Sequence, residues 1–274
     1  MLLAGIGLIS AALAVIRCLG ADLAAVPMAL TFVLRFVVYY LELFVAAFGF
    51  LVAVSYVVDL EKEQQKDSPF YRAVIGLYIE ALVMLLRARI KVTGLEKLPQ
   101  GRFLLVCNHL FVADPGVLLQ VFRKNQLAFI SKKENRDLFC IGRLMHKILC
   151  QCLDREDDRQ ALRVILKCIQ ILKEDKANIA VFPEGSTNHD NLLHPFRPGV
   201  FKIAQKAKVP IVVCTIRNTR AIFKNLFHGG TDIELRLLDV IPAQELEGVT
   251  TVEISERVYG LMAADLGAEL VAAE

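Results

Sequence analysis

The segment VCNHLFVADPG, residues 106–116, places an imidazole and a carboxylate just after an apolar run. His109 follows the run Phe103–Cys107, and Asp114 comes five residues later, directly before Pro115. A carboxylate that accepts a hydrogen bond from an imidazole fixes the tautomer of the ring and stabilises the imidazolium that a general base forms. An Asp before Pro also suits the start of a helix. The spacing therefore predicts that one carboxylate oxygen caps the next helix while the other binds His109.

A His–Asp pair is two thirds of the triad that activates a nucleophilic serine. Ser186 lies in a second polar segment, FPEGSTNHD, but the G-x-S-x-G turn that exposes a hydrolase serine is absent. We therefore expect the reactive hydroxyl to belong to a substrate, from which His109 removes the proton as the alcohol attacks an activated acyl group. In the same segment, Glu184 could hold a substrate hydroxyl, and Gly185 allows close approach to the backbone.

Strand ends must position these residues. From residue 70 onward the chain alternates between strand-like and helical runs, which predicts an α/β fold with a largely parallel central sheet flanked by helices on both faces. Loops that leave the carboxyl ends of parallel strands meet at one edge of the sheet. Three polar clusters, Asn108–His109, Asp154–Arg155 and Pro183–Gly185, are therefore expected to converge. The predicted strands are Ile90–Thr93, Phe103–Cys107, Leu127–Ile130, Ile148–Leu153, Ile179–Phe182, Ile211–Ile216 and Ile233–Val240, and the predicted helices are Pro115–Arg123, Asp158–Glu174, Gly199–Lys208 and Val252–Leu266.

The N-terminal part of the chain accounts for most of its hydrophobic excess, which is 55% apolar residues and a mean hydropathy of +0.48. The 23 residues of Phe36–Val58 contain one charge and could cross a hydrocarbon core of about 30 Å. The first segment, Leu2–Leu19, is long enough only if Arg17 reaches toward the interface. No Lys or Arg precedes it, which disfavours a secretory signal peptide. Two membrane segments forming a hairpin are the prediction.

These observations divide the chain into a membrane anchor at 1–58, a polar linker at 59–69 and a main domain at 70–274. Basic residues after the second segment outnumber those between the segments, which favours a cytoplasmic main domain and a cell-membrane location. The run Phe70–Arg89 has helical periodicity. It could be a core helix of the domain or lie on the bilayer surface.

Cysteine content and charge argue against several other functions. The seven cysteines are odd in number and lie mostly in apolar runs, as expected for buried, reduced thiols. His146, Cys150 and Cys152 lack a second matching pair of ligands, so we predict no metal site. The net charge is only +3, and no basic stripe with interleaved aromatic residues is present. Nucleic acid is therefore not an expected partner.

Four short motifs occur in a family-specific order: N-H-x-x-x-x-D at 108–114, L-D-R at 153–155, F-P-E-G at 182–185 and V-P-I-V at 209–212. Together they resemble the glycerophospholipid acyltransferase family, most closely its lysophosphatidic acid acyltransferases. The resemblance implies the fold of that family, with His109 as general base and Asp114 as its orienting residue. It further implies that substrate is bound by Asn108, Arg155, Glu184, Gly185 and Ser186, with Val209 and Pro210 lining the acyl site.

One departure from the family pattern concerns the acceptor's phosphate. The family usually continues F-P-E-G-T-R, with an arginine that helps to bind phosphate, whereas this chain has Ser186 and Thr187 at those two positions. A guanidinium suits phosphate because it donates two parallel hydrogen bonds. Arg155 remains as the first candidate, and Arg197 or Lys202 could supply the missing charge.

The resulting expectation is an O-acyltransferase that acylates the sn-2 hydroxyl of lysophosphatidic acid, a membrane lipid acceptor. It would use acyl-CoA or acyl carrier protein as donor and need no further cofactor. Alternatives are another lysophospholipid or aminolipid acceptor, a hydrolase that transfers the acyl group to water, and a non-catalytic lipid-binding protein. The sequence does not choose between the donors or define chain length or oligomeric state. A patch that could receive either donor, or anionic lipid head groups, consists of Arg123, Lys124, Lys132, Lys133, Arg136, Arg143 and Lys147.

Overall fold

The computed structural model describes residues 1–19, 28–154, 157–187, 190 and 192–272. Its helices and strands alternate from residue 88 onward. The helices are α1 (Leu2–Leu19), α2 (Met28–Tyr56), α3 (Pro69–Leu85), α4 (Asp114–Val121), α5 (Ile141–Lys147), α6 (Asp158–Lys173), α7 (Lys202–Ala207), α8 (Ile222–Asn225) and α9 (Thr251–Leu266). The strands are β1 (Ala88–Thr93), β2 (Leu104–Cys107), β3 (Leu127–Lys132), β4 (Gln151–Leu153), β5 (Asn178–Val181), β6 (Ile211–Arg217) and β7 (Thr231–Ile241).

A seven-stranded sheet in the order β1-β7-β6-β2-β5-β3-β4 forms the centre of the described part of the chain. Strands β6, β2, β5, β3 and β4 are mutually parallel. Strand β7 runs antiparallel to β6, and β1 pairs in parallel with β7 at the outer edge. Each predicted strand is present, so the prediction of a largely parallel sheet flanked by helices is confirmed. The loops after β2, β4 and β5 accordingly leave from the same edge.

The sheet is covered on both faces, which explains why β2 is apolar at every position. Leu104 and Val106 point to a core formed with α6, α7 and α9. Phe103, Leu105 and Cys107 point to the opposite core, which α4 and α8 help to close. All five side chains are fully buried. A parallel strand buried on both faces reads as a continuous apolar run rather than as an alternation, and this places the polar residues after Cys107 at a buried strand end.

The two N-terminal helices pack against each other and against α3. Helix α2 has 29 residues, so it is about 44 Å long. Among the described residues it is the one helix that is long and apolar enough to cross a membrane, and α1 is shorter. It begins at Met28 rather than at the predicted Phe36. Residues 20–27, with the predicted break at Pro27, lie outside the described residues, and the membrane hairpin stays a prediction.

Helix α3 begins after the linker and joins α2 to the sheet. Ser68 caps its first turn and Pro69 occupies its first position, where a missing N–H costs nothing. The hydroxyls of Tyr71 and Tyr78 donate to carbonyl oxygens of α2. The helix ends at Leu85 instead of Arg89, because β1 starts at Ala88 to pair with β7. Helix α5 has no counterpart among the predicted helices.

Candidate active site

The imidazole of His109 and the carboxylate of Asp114 are in direct contact. His109 Nδ1 lies 2.8 Å from Asp114 Oδ2, and the Asp114 side chain is fully buried. The same oxygen accepts hydrogen bonds from the backbone N–H groups of Leu110 and Phe111, both at 2.7 Å. An ionised carboxylate can only accept hydrogen bonds, so Nδ1 carries the ring proton and Nε2 presents its lone pair to the open edge. This is the orientation that a general base needs.

The prediction that one Asp114 oxygen caps helix α4 while the other binds His109 is wrong. Asp114 is the first residue of α4, Ala113 precedes it as the capping residue, and no side chain caps this helix end. Oδ2 makes all three contacts, whereas Oδ1 has no partner among the described residues. The carboxylate therefore closes the loop 109–114 on itself rather than capping the helix. Its negative charge still lies in the first turn of α4, where the helix dipole favours it.

Asn108 extends the sheet by one step beyond β2. Its side-chain amide donates to the carbonyl oxygen of Ile216 at 3.0 Å and accepts from the N–H of the same residue at 2.8 Å. With both polar groups satisfied by β6 and only 1% of its surface exposed, Asn108 cannot reach a substrate. The prediction that it contacts substrate is corrected to a positioning role for the residue before His109.

Glu184 performs a similar task from β5. Its Oε1 accepts from the backbone N–H of His109 at 2.7 Å, and its Oε2 accepts from the N–H of His194 at 3.0 Å. The side chain is buried, so these bonds satisfy a carboxylate that would be costly to leave unpaired. The predicted convergence of the loops after β2 and β5 is confirmed through this contact. A direct role of Glu184 in binding the acceptor stays a prediction.

Two neighbours restrict the environment of the imidazole further. The ring of Phe182 stacks on that of His109, with centroids 4.2 Å apart and planes 19° apart. Cys107 lies beneath the site, where burial, followed by Cys214, Asp114 and Glu184, raises the pKa of its thiol well above its usual value. A thiol held protonated in this way is not a nucleophile at neutral pH. The imidazole of His109 is therefore a better candidate for the reactive group than this thiol.

Thr187 is the site residue that the sequence reasoning missed. Its Oγ1 lies 2.9 Å from His109 Nε2. The sequence signalled this position only as a departure from the family motif, at the place where an arginine is usual. Ser186, the hydroxyl considered from sequence, is exposed and has no described bond to the imidazole.

Gly185 and Arg197 form the floor beside this hydroxyl. Gly185 has a left-handed backbone with φ of 78°, and a Cβ built on it would lie 2.7 Å from Arg197 Nε. The left-handed turn therefore favours glycine, and the Arg197 side chain passes close to its Cα. Arg197 is exposed, its N–H donates to the carbonyl oxygen of Pro183, and among the described residues no carboxylate pairs with its side chain. It is a cation available beside the His109 loop.

The third predicted cluster can be described only in part. Asp154 follows β4 and forms an ion pair with Lys133 at 2.7 Å. Arg155, the predicted phosphate contact, lies outside the described residues. Strand β3 separates β4 from β5, so this loop leaves the sheet about 10 Å from the loop that carries Glu184.

Val209 and Pro210 lie at the other edge of the sheet. They immediately precede β6, which is parallel to β2, so they are at the amino-terminal edge while His109 is at the carboxyl-terminal edge. The seven residue-to-residue steps from Val209 to Ile216 span about 23 Å in a strand. Val209 belongs to the buried core, and the carbonyl oxygen of Pro210 accepts from Leu104 N–H. These two residues are therefore distant from His109, and the prediction that they line the acyl site stays a prediction.

Three of the seven residues of the predicted cationic patch bond to the segment 58–64, at the end of the anchor and the start of the linker. Arg136 pairs with Glu61, Arg143 donates to the carbonyl oxygen of Val58, and Lys147 bonds Gln64. A cavity of about 390 Å³ lies between the linker, α5 and α6, with Cys152 and Lys167 among its lining residues. It does not include His109.

The described residues contain no group of three or more His, Cys, Asp or Glu side chains placed to hold a metal ion. In the cluster considered from sequence, His146 bonds the carbonyl oxygen of Lys62, and the sulfur of Cys150 accepts from the N–H of Phe129. The side chains of His146 and Cys150 therefore already have partners within the protein.

Comparison with known proteins gives concordant matches. Residues 89–217 match the family model described as Acyltransferase. The chain is 27% identical over 190 residues to the 1-acyl-sn-glycerol-3-phosphate acyltransferase of Saccharomyces cerevisiae, which covers 68% of this chain and 62% of that protein. It is 35% identical over 152 residues to the probable 1-acyl-sn-glycerol-3-phosphate acyltransferase of Mycoplasma genitalium, covering 53% of each.

A solved structure supports the fold. The crystal structure of PlsC, the 1-acyl-sn-glycerophosphate acyltransferase of Thermotoga maritima, superposes with a TM-score of 0.61 over 82% of this chain and 89% of that one. At 19% sequence identity this match concerns the fold alone. The chain spans only part of the length of its curated relatives, between 53% and 62% in four of them.

Proposed function

We propose that the chain, whose residues 89–217 match the Acyltransferase family model, is a glycerophospholipid acyltransferase that transfers a fatty acyl group from an acyl thioester to the sn-2 hydroxyl of lysophosphatidic acid. One observation carries the chemical part of this proposal. His109 is held by a buried carboxylate so that Nε2 faces a hydroxyl at 2.9 Å, within the range of proton transfer. An acceptor alcohol at that position would be activated in the same way.

The reaction follows from the roles of two side chains. His109 Nε2 takes the proton of the acceptor hydroxyl while the oxygen attacks the thioester carbonyl. The tetrahedral intermediate then expels the thiolate, which receives that proton from the imidazolium. Asp114 stabilises the imidazolium between the two steps and keeps its ring oriented. General base catalysis of this kind contributes about 10²–10⁴ to the rate.

Arg197 supports an acceptor that carries phosphate. The guanidinium passes across Gly185 and has no carboxylate partner among the described residues, so it can offer two hydrogen bonds to a phosphate. We expect Arg197→Ala to raise the KM for lysophosphatidic acid about 10-fold or more with a smaller change in kcat, since a charged hydrogen bond contributes about 1.5–3 kcal/mol. Lys206→Ala, an exposed cation on α7, is the matched control. An unchanged KM would exclude Arg197 and direct attention to Lys202.

A membrane acceptor is favoured by the apolar surface next to the site. Phe111, in the loop between His109 and Asp114, packs edge-on against Phe223. Val112, Phe223 and Phe227 nearby are all more than half exposed. Together with the length of α2, this surface supports a chain anchored in the cell membrane at 1–58, with a linker at 59–69 and the catalytic domain at 70–274 facing the cytoplasm. Acyl chains can then approach His109 directly from the lipid.

The donor is proposed only as a class, acyl-CoA or acyl carrier protein. The test is transfer from each labelled donor to lysophosphatidic acid by the purified full chain, with His109→Ala beside wild type and His228→Ala, a surface histidine, as control. We expect phosphatidic acid from wild type and the control, and a loss of at least about 10²-fold for His109→Ala. Equal activity of His109→Ala and wild type would refute the proposal.

A second acceptor class is favoured by Thr187, which stands where the family usually has a phosphate-binding arginine. A lysophospholipid with a bulky head group, or an aminolipid, would depend less on that cation. Including such acceptors in the same assay separates the two, because preference for one of them together with insensitivity to Arg197→Ala would reassign the substrate.

A further inference from the structure

The hydroxyl of Thr187 occupies the position that a substrate alcohol must take. Nδ1 of His109 donates to Asp114, so Nε2 has a single lone pair, and the Thr187 hydroxyl donates to it at 2.9 Å. An acceptor hydroxyl has to lie about 2.6–3.2 Å from the same nitrogen to lose its proton. Both hydroxyls cannot bind this lone pair at once. The internal hydroxyl must therefore leave before the acceptor can be activated.

Rotation of the side chain is the motion that we expect to release the hydroxyl. Thr187 is half-buried, and rotation about its Cα–Cβ bond carries Oγ1 from one staggered position to another. The adjacent loop is fixed by Glu184 and by Gly185, so the imidazole stays in place while the threonine rotates. The hydrogen bond that is lost is then replaced by an equivalent one from the acceptor.

We propose that Thr187 is a positioning residue that holds the acceptor-hydroxyl site in the free protein and releases it when a lysolipid binds. This inference rests on the proposed function, in which His109 activates the acceptor. By occupying Nε2, the threonine keeps water away from the base while an acyl thioester is bound. It thereby limits hydrolysis of the donor before the acceptor arrives, and it makes acceptor binding weaker than it would be at an empty site.

The test compares Thr187→Ala with Thr187→Ser and wild type in the full chain. We expect Thr187→Ala to bind lysophosphatidic acid more tightly by roughly 2- to 10-fold in calorimetric titration, because no internal hydrogen bond has to be broken. Its acceptor KM should fall by a similar factor at nearly constant kcat, and its hydrolysis of acyl donor without acceptor should rise. Thr187→Ser keeps the hydroxyl and should behave as wild type. Thr93→Ala, an exposed threonine on the outer strand β1, controls for loss of a threonine elsewhere.

Two results would overturn the inference. One is an unchanged affinity for lysophosphatidic acid in Thr187→Ala. The other is loss of transfer in that variant together with an acyl group on Thr187 of wild type, seen by mass spectrometry after incubation with donor alone, which would make the residue a nucleophile. Tighter binding by Thr187→Ala without transfer by any variant would refute the proposed function. It would still support the inference that Thr187 occupies the hydroxyl site at His109 Nε2 in the free protein.

Discussion

Carboxylates hold both the loop that carries His109 and the linker that follows α2, but in opposite ways. At the loop, Asp114 within it and Glu184 after the neighbouring strand β5 are 0% and 6% exposed and accept hydrogen bonds from backbone N–H groups. In the linker, the side chains of Glu61 and Glu63 are 85% and 66% exposed and pair with Arg136 and Lys167.

The difference has an energetic meaning. A buried carboxylate that loses its donors is left in a medium that solvates it poorly, so the loop has one favoured arrangement. An exposed ion pair is screened by salt and typically contributes less than about 1 kcal/mol. The catalytic loop is thus fixed to the sheet. The part of the linker at Glu61 and Glu63 is held by weak, separable contacts, and only the end of the linker is held by a buried ion pair, between Asp67 and Arg72.

Asp114→Asn should produce the largest effect. The amide can still accept from Leu110 and Phe111, but it brings no negative charge to the imidazolium. We expect kcat to fall by about 10²–10⁴ with little change in thermal stability. Steady-state kinetics and a melting curve in the same detergent test this. A kcat within 10-fold of wild type would show that the charge of Asp114 is not needed by the base.

Replacing the carboxylates of the two regions by amides tests the comparison directly. Glu184→Gln turns one acceptor into a donor that faces a backbone N–H, so we expect the free energy of unfolding to fall by about 1–3 kcal/mol. Glu61→Gln, the matched change in the linker, should cost less than about 1 kcal/mol. Chemical denaturation measures both, and equal losses would contradict the contrast.

The strands were predictable from sequence because burial on both sheet faces leaves a direct pattern. Phe103–Cys107 is apolar at every position, and the polar residues after it mark the strand end. The His109–Asp114 contact follows from a spacing of five residues within one loop. Glu184 was recognisable as a residue at the same edge, since parallel strands place their ends together.

Contacts between distant loops were not predictable in the same way. The hydrogen bond from Thr187 to His109 joins residues 78 positions apart. No local pattern specifies whether the hydroxyl of Ser186 or that of Thr187 turns toward the imidazole ring. The distance of Val209 and Pro210 from His109 was not predictable either, because a motif carries residue types but not the direction of its strand. Helix α5 was missed since it is only seven residues long and follows Cys140, whose backbone φ of 56° interrupts any local periodicity.

The smallest expected effect is on the alkylation rates of two cysteines, one in each region. Burial is the main cause that raises the pKa of both thiols, Cys107 beneath the active site and Cys152 in the cavity under the linker. A raised thiol pKa means less thiolate at a given pH, so both should alkylate slowly at pH 8 and faster as pH rises. Cys107 is fully buried, whereas Cys152 is only partly buried.

High salt should raise the alkylation rate of Cys152 but leave that of Cys107 unchanged. At 1 M the Debye length is about 3 Å, so the pairs of Glu61 and Glu63 weaken and the linker lifts more often from the cavity. We expect Cys152 to alkylate roughly 2- to 5-fold faster in 1 M than in 0.1 M NaCl, in keeping with ion pairs of about 0.2–1 kcal/mol. Cys107 should remain unlabelled at both salt concentrations, as read by peptide mass spectrometry, with Cys152→Ser to confirm the site. Salt-dependent labelling of Cys107 would mean that the catalytic loop opens together with the linker, which would contradict the contrast between the two regions.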